Sequence, residues 1–269
     1  TFLFTNGDDP ALSYLAKKSG LTTLLFGIDK KLMTRDSIGH DVDFIYCPNC
    51  QTKLDYKKVS FSHMGDFICT KCKFKRENAE TTKITQYPLL GTYNIYNTNA
   101  AALVASKAFN VRDREINKSL IDFKAAFGRQ EVIKYKGRDV LILLSKNPAG
   151  FNQNIEVLAD LLHPRGGNMP MPRRRNVLLV LNDRIPDGRD VSWIWDVDFE
   201  NLPKNSKIFI SGDRAYDMGL RIKYSMLHDS SFVIHEDLQE AIEAVISQTK
   251  PSETLFILPT YSAMLETRK

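Results

Sequence analysis

The runs Val177-Leu178-Leu179-Val180-Leu181, Lys207-Ile208-Phe209-Ile210-Ser211 and Thr254-Leu255-Phe256-Ile257-Leu258 decide the fold class of this chain. Each is a short apolar run and reads as a strand. Around them lie stretches of helical spacing: 152–162 before the first run, 213–227 after the second, and a strand at 231–234 followed by a helix at 236–248 before the third. A last helix follows residue 258. Strands that alternate with helices imply a parallel or mixed sheet flanked by helices. Upstream, 132–135 and 140–144 form a hairpin across Lys136-Gly137. Residues 97–109 and 112–126 read as helices, the second with an apolar stripe of Ile116, Leu120, Ile121 and Phe123.

The same alternation opens the chain on a smaller scale. A strand at 1–4 leads through Asn6-Gly7-Asp8-Asp9-Pro10 into a helix ending near Lys18, and a second strand occupies 21–26. A segment at about 43–76 interrupts this pattern, and the polar stretch 77–86 leads through Tyr87-Pro88 into the longer α/β region. That places a domain boundary near residue 88 and divides the chain into 1–87 and 88–269. Two domains suit 269 residues with 43% hydrophobic and 26% charged content, the composition of a globular chain. No apolar run approaches the roughly 18 residues that cross a bilayer, and no signal-peptide pattern is present, so a cytoplasmic protein is expected. The opening at Thr1, inside a strand and without an initiator Met, implies that these residues are part of a longer polypeptide.

The interrupting segment holds all four cysteines, as Cys47-Pro48-Asn49-Cys50 and Cys69-Thr70-Lys71-Cys72. Two thiolates two residues apart on a tight turn can both reach one ion, and two such turns facing each other close a tetrahedral Zn²⁺ site. Four sulfurs leave no open coordination position, so the expected metal is structural, with disulfides or free thiols as the alternatives. Between Cys47 and Arg76 seven basic residues face two acidic ones, which equals the whole net charge of +5. With Tyr56, Phe61, Phe67 and Phe74 interleaved, this segment either grips nucleic acid or is a solvated face around a structural clip; the second reading is preferred, and no nucleic-acid partner is expected.

Other chemistries are limited. The sequence contains no G-x-x-x-x-G-K-[ST] phosphate loop, and Gly166-Gly167 lies in a basic loop at 163–175 that lacks its lysine. Four cysteines committed to a metal leave no thiol nucleophile. His40, His63, His163, His228 and His235 show no ligand spacing and read as structural. After the strand at 177–181 come Asp183, Asp187, Asp190, Asp196 and Asp198, together with both tryptophans, Trp193 and Trp195. Such carboxylates bind Mg²⁺, act as bases or are simply solvated, while bulky aromatics beside them point to a packed protein interface.

Four strings occur in an informative order: Asn6-Gly7-Asp8-Asp9-Pro10, Gly91-Thr92-Tyr93-Asn94-Ile95-Tyr96-Asn97-Thr98-Asn99-Ala100-Ala101, Phe127-Gly128-Arg129-Gln130-Glu131 and Lys146-Asn147-Pro148-Ala149-Gly150. The chain resembles the end of the middle domain and the C-terminal domain of the Mur ligase family. With the four cysteines and the string Asn182–Asp196, it resembles in particular the family's glutamine-dependent synthetase subunits. The fold this implies is α/β and Mur ligase-like: the remainder of a middle domain with an inserted four-cysteine zinc ribbon, then a Rossmann-like α/β C-terminal domain.

The resemblance implies ATP-dependent amidation, with Mg²⁺, of the α-carboxylate of D-glutamate in the lipid II stem peptide, at the inner face of the plasma membrane. The product is D-isoglutamine, formed through an acyl phosphate. Ammonia would come from a GatD-type class I glutamine amidotransferase forming a heterodimer with this chain. Carried over by motif, Asn97 would bind adenine with Asn94 in support, unless both merely cap the helix that begins there. Arg129 would face the nucleotide, unless it only pairs with Glu131. Asp190 would complete the partner's Cys–His pair as the third member of a triad, with Asp187 as second choice and a capping or surface aspartate as the plain reading. Mur ligases place their Walker A loop near the start of the middle domain, so it would lie outside these residues. Many also carry an aspartate in the strand before Lys146, where this chain has Leu143-Leu144-Ser145, which weighs against amino-acid addition. Two other readings stay open, a nucleic-acid-binding zinc-ribbon protein and an amino-acid-adding Mur ligase.

Overall fold

The computed structural model describes all residues except 39–41, 43, 81, 82, 124–128, 163–174, 205, 226–231 and 252; of residues 129, 160 and 162 it describes the backbone alone. The chain forms two compact units, Thr1–Lys124 and Ala125–Lys269.

In the first unit, β1 (Phe2–Asn6) and β2 (Thr22–Phe26) pair in parallel through α1 (Pro10–Ser19). Asp9 caps α1 by accepting from the N–H groups of Ala11 and Leu12, Pro10 supplies the preset first-turn backbone, and Gly20 ends the helix with φ at 66°. The hairpin β3 (Asp55–Phe61) and β4 (Met64–Ile68) is antiparallel. Helix α2 (Thr92–Phe109) packs on β1, β2 and β3, and α3 (Asp113–Ile121) packs on α2. The division between units therefore falls at Lys124/Ala125, whereas the sequence reading puts it near residue 88. The reason is burial: Tyr96 of α2, 4% exposed, sits with Ile28, Met33 and Phe61 in the core of the first unit.

The second unit is a six-stranded mixed sheet. Its strands are β5 (Arg129–Tyr135), β6 (Arg138–Leu143), β7 (Arg175–Val180), β8 (Ser206–Ser211), β9 (Phe232–Ile234) and β10 (Thr254–Pro259), in the order β5-β6-β10-β7-β8-β9. Only β5 runs antiparallel. Alternation sorts the side chains by face. Val177, Leu179, Ile208 and Ile210 point to α4 (Pro148–Leu162) and α5 (Ala215–Tyr224); Leu178, Val180, Phe209 and Ile257 point to α6 (Leu238–Ser247) and α7 (Tyr261–Thr267). The three runs quoted at the outset are thus the centre of a doubly covered sheet. The strand order reverses between β10 and β7, where open α/β sheets gather functional loops at the carboxyl ends of the strands.

Candidate functional site

The four cysteines form a cluster whose Sγ atoms all lie within 4.8 Å of one another. Two turns of one design build it. In the first, Gln51 N–H donates to Cys47 O at 2.8 Å and Cys47 N–H to Thr52 O at 2.8 Å; in the second, Lys73 N–H donates to Cys69 O at 3.0 Å and Cys69 N–H to Phe74 O at 2.7 Å. Gln51 and Lys73 both take a left-handed φ of 61°, which brings each pair of thiols to the same side of its turn. The closest Sγ pairs, Cys47–Cys72 and Cys50–Cys69, are 3.5 Å apart, far beyond a disulfide bond and near the edge of about 3.8 Å of a tetrahedron with Zn–S at about 2.3 Å. Burial pushes an isolated Cys47 thiol up to about 12, while hydrogen bonding to Thr52 draws Cys50 down to about 6. A buried thiolate beside three other sulfurs needs a cation, and the donor set fits zinc.

The aromatic residues of this segment do not form a stacking platform. Phe67 and Phe74 pack on Cys47, Cys69 and Leu54, and Phe61 is buried against Tyr96. Tyr56 donates its hydroxyl hydrogen to His63 O at 3.0 Å. The rings form the small core beside the cysteine cluster, and the nucleic-acid reading loses its base-stacking component.

Asn94 and Asn97 lie one turn apart on α2, and neither caps it: the N-cap is Gly91, whose φ of 92° suits glycine. Asn94 is buried, and its amide nitrogen donates to Leu90 O at 2.7 Å. Asn97 is exposed, and its amide nitrogen donates to the Asn94 amide oxygen at 3.4 Å. The side chain of Arg129 and residues His40, His163 and His228 lie outside the described residues, as does the basic loop up to residue 174. Of the other histidines, His63 pairs with Asp9 at 3.2 Å and His235 stacks on Phe209.

The acidic segment separates into structural and available carboxylates. Asp183 pairs with Arg214, and Asp198 exchanges hydrogen bonds with Asn152. Asp187 is held at the start of α7, accepting from Ser262 N–H at 2.8 Å and from the Ser262 hydroxyl. Asp190 alone combines exposure with a fixed position: its Oδ1 accepts from Ser192 N–H at 2.8 Å, and this backbone bond, with the Ser192 hydroxyl, holds its carboxyl below the ordinary range. The Asp190 carboxylate is exposed, whereas that of Asp187 is taken up by Ser262.

The tryptophans separate in the same way. Trp193 packs on Phe151 at the edge of the core, so it is structural and not part of a surface patch. Trp195 is 48% exposed and lies against Tyr224 and the guanidinium of Arg221. Arg221, itself buried, donates to Ile194 O and Val197 O and pairs with Glu200, which pins the short helical turn Ser192–Asp196. Beyond Trp195, α5 exposes Tyr216, Leu220 and Tyr224 at four-residue spacing. Sequence reasoning missed this stripe; its signal is the i, i+4, i+8 recurrence on a helix whose other face is core.

Comparison with solved structures defines the fold. The chain is similar to a pseudomurein peptide ligase type C from Methanothermus fervidus (TM-score 0.62, 18% identity, 99% of this chain and 56% of that one). It is also similar to the MurF ligase of Thermotoga maritima in complex with ADP (TM-score 0.51, 15% identity, 100% of this chain and 52% of that one). The fold is Mur ligase-like α/β. Within it, residues 144–264 match the family described as MurT ligase C-terminal. Curated relatives named as the MurT subunit of lipid II isoglutaminyl synthase (glutamine-hydrolyzing) are 29% identical. The one from Staphylococcus aureus (strain COL) aligns over 257 residues, 89% of this chain and 55% of the relative; the one from Streptococcus pneumoniae (strain R6) aligns over 265 residues, 91% and 56%. The resemblance read from the motifs is thus borne out, and the chain spans about half the length of the curated relatives it matches.

Proposed function

We propose that this chain is part of the synthetase subunit of a glutamine-dependent amidotransferase of peptidoglycan biosynthesis. The substrate is the α-carboxylate of D-glutamate in the lipid II stem peptide. ATP, with Mg²⁺, phosphorylates it to an acyl phosphate with release of ADP; ammonia attacks the acyl carbon, phosphate leaves, and D-isoglutamine results. The similarity to MurT subunits and the Mur ligase-like fold support this reading. Asn97 presents its amide to adenine, and the grip on the phosphates is assigned to the earlier part of the middle domain. Cys47, Cys50, Cys69 and Cys72 hold a structural Zn²⁺. The site of action is the cytoplasmic face of the plasma membrane; among the described residues no helix is long and apolar enough to cross a membrane.

Ammonia comes from a GatD-type glutaminase subunit docked on the surface formed by Trp195 and α5. The observation that carries this reading is the exposed, pre-positioned carboxylate of Asp190, inside the segment that matches the MurT family. It accepts the N–H of the partner's catalytic imidazole, fixes the tautomer and stabilises the imidazolium that forms as the partner's thiol attacks glutamine. The test is glutaminase activity of the partner subunit alone, with the full-length form of this protein, and with its Asp190→Asn variant. Stimulation that vanishes in the variant while the complex still elutes as one species supports the shared triad; equal activity in all three samples overturns it.

A further inference from the structure

A cleft of about 440 Å³ lies beside the cysteine cluster, between β4, the segment leaving the second cysteine turn and the turn Lys30–Leu32. Its two acidic residues are already neutralised. Asp66 holds Lys30 at 2.9 Å through both carboxylate oxygens, and Glu77 holds Lys17 at 2.7 Å. Of its three remaining cations, Arg76 is paired with the buried carboxylate of Asp8 and two are not neutralised. Lys57 on β3 and Lys75 are exposed, and among the described residues neither ammonium has a partner. The third is Arg76, whose side chain is only 4% exposed. Arg76 uses Nε on Asp8 at 2.6 Å and Nη2 on Ile28 O at 2.8 Å; among the described residues Nη1 has no partner. A guanidinium locked by two buried bonds is a pre-organised donor that loses little freedom when an anion arrives.

We infer that this cleft is a binding site for a phosphate ester or diphosphate group, held by Lys57, Lys75 and Arg76 beside the zinc ribbon. Two lysines and one fixed guanidinium match a tetrahedral anion of charge about −2 better than a single carboxylate, since lysine acts as a point charge and arginine supplies direction. The volume exceeds that of a free phosphate ion and lies in the range of small-molecule sites. The placement gives a use to three of the seven basic residues of this segment, Lys57, Lys75 and Arg76. The inference is independent of the nucleotide site, whose asparagines lie on α2.

The test is calorimetric titration of the chain with inorganic pyrophosphate, in which the variants separate this cleft from any nucleotide site. It compares the wild type, the Lys57→Gln/Lys75→Gln variant, and a Lys53→Gln/Lys71→Gln variant that removes the same charge from exposed positions outside the cleft. The expected result is binding that weakens as salt rises, by about tenfold or more in the first variant and by less than about threefold in the second. No binding to the wild type, or equal weakening in both variants, overturns the site and leaves only general attraction of the ribbon for polyanions, nucleic acid included. Cosedimentation with phosphatidylglycerol vesicles distinguishes the source: vesicle binding lost selectively in Lys57→Gln/Lys75→Gln assigns the phosphate to a lipid headgroup, and pyrophosphate binding without vesicle binding assigns it to a soluble ester.

Discussion

Tyr96 donates its hydroxyl hydrogen to Oδ2 of Asp8 at 2.6 Å, joining α2 to the end of β1 across 88 positions of sequence. The same carboxylate accepts from Arg76 Nε and from Ile28 N–H, and Ser60 completes the set at 2.7 Å from the Tyr96 oxygen. One fully buried charge thus ties together the parallel strand pair, the segment leaving the cysteine cluster and the helix that carries Asn94 and Asn97. Burial first, and then the neighbouring carboxylate, push the Tyr96 phenol well above its ordinary range, so it stays a donor.

Tyr96→Phe removes one donor from a buried carboxylate and is expected to cost about 1–3 kcal/mol of stability. Arg76→Leu strands the charge and is expected to cost about 3–5 kcal/mol. Urea denaturation of the two variants ranks them. Equal losses would mean that the carboxylate is satisfied without Arg76.

Much of this architecture is legible in sequence because its signals are local. Runs such as 177–181 announce a strand, and paired C-x-x-C turns announce their cluster. The position of the unit boundary is not legible, because the burial of Tyr96 depends on Asp8 and Ser60, neither of them near it in sequence. The start of α2 at Thr92 is missed for a related reason: the cap is a glycine of special backbone angle and not an asparagine side chain. At the candidate site, the sequence shows five aspartates and two tryptophans without distinguishing them. Tertiary partners make the distinction, Ser262 for Asp187 and Phe151 for Trp193.

The cysteine cluster is expected to bind about one zinc ion per chain by elemental analysis, and Cys47→Ser to lose most of it. Chelation removes the central constraint on a segment whose apolar core is only Leu54, Phe67 and Phe74 with their neighbours. The melting temperature of the first unit should therefore fall on chelation and recover when Zn²⁺ is restored. An unchanged melt after complete metal removal would show that the segment's own packing suffices.

Trp193 and Trp195 should give opposite phenotypes. Trp193→Ala takes a ring from Phe151 and the core edge and should lower stability by about 3 kcal/mol, with any loss of partner binding following from that. Trp195→Ala leaves a half-exposed site and should change the melt little, yet weaken the complex with the proposed glutaminase subunit by about 1–4 kcal/mol, as buried interface aromatics do. Calorimetric titration of the partner with each variant decides; a Trp195 variant that binds as tightly as wild type removes this face from the interface.

The pH dependence of stability offers a test at Asp9. Burial disfavours its charged form, but the hydrogen bond to His63 and those from Leu12 and Ala11 N–H outweigh this, and its carboxyl lies below the ordinary value. A depressed folded-state pKa contributes stability that is present above the unfolded value of about 3.9 and is lost as pH falls through the folded value. Asp9→Asn keeps a capping oxygen for α1 but removes the titrating group, so its stability should fall less steeply than wild type below about pH 4 while being lower at neutral pH, where the charge and its His63 contact are missing. Asp9→Ala loses cap and charge together and should be destabilised by about 1 kcal/mol more than Asp9→Asn at every pH. Urea midpoints between pH 3 and pH 7 for the three proteins separate the contributions; parallel curves for wild type and Asp9→Asn would place the acid sensitivity at another carboxylate.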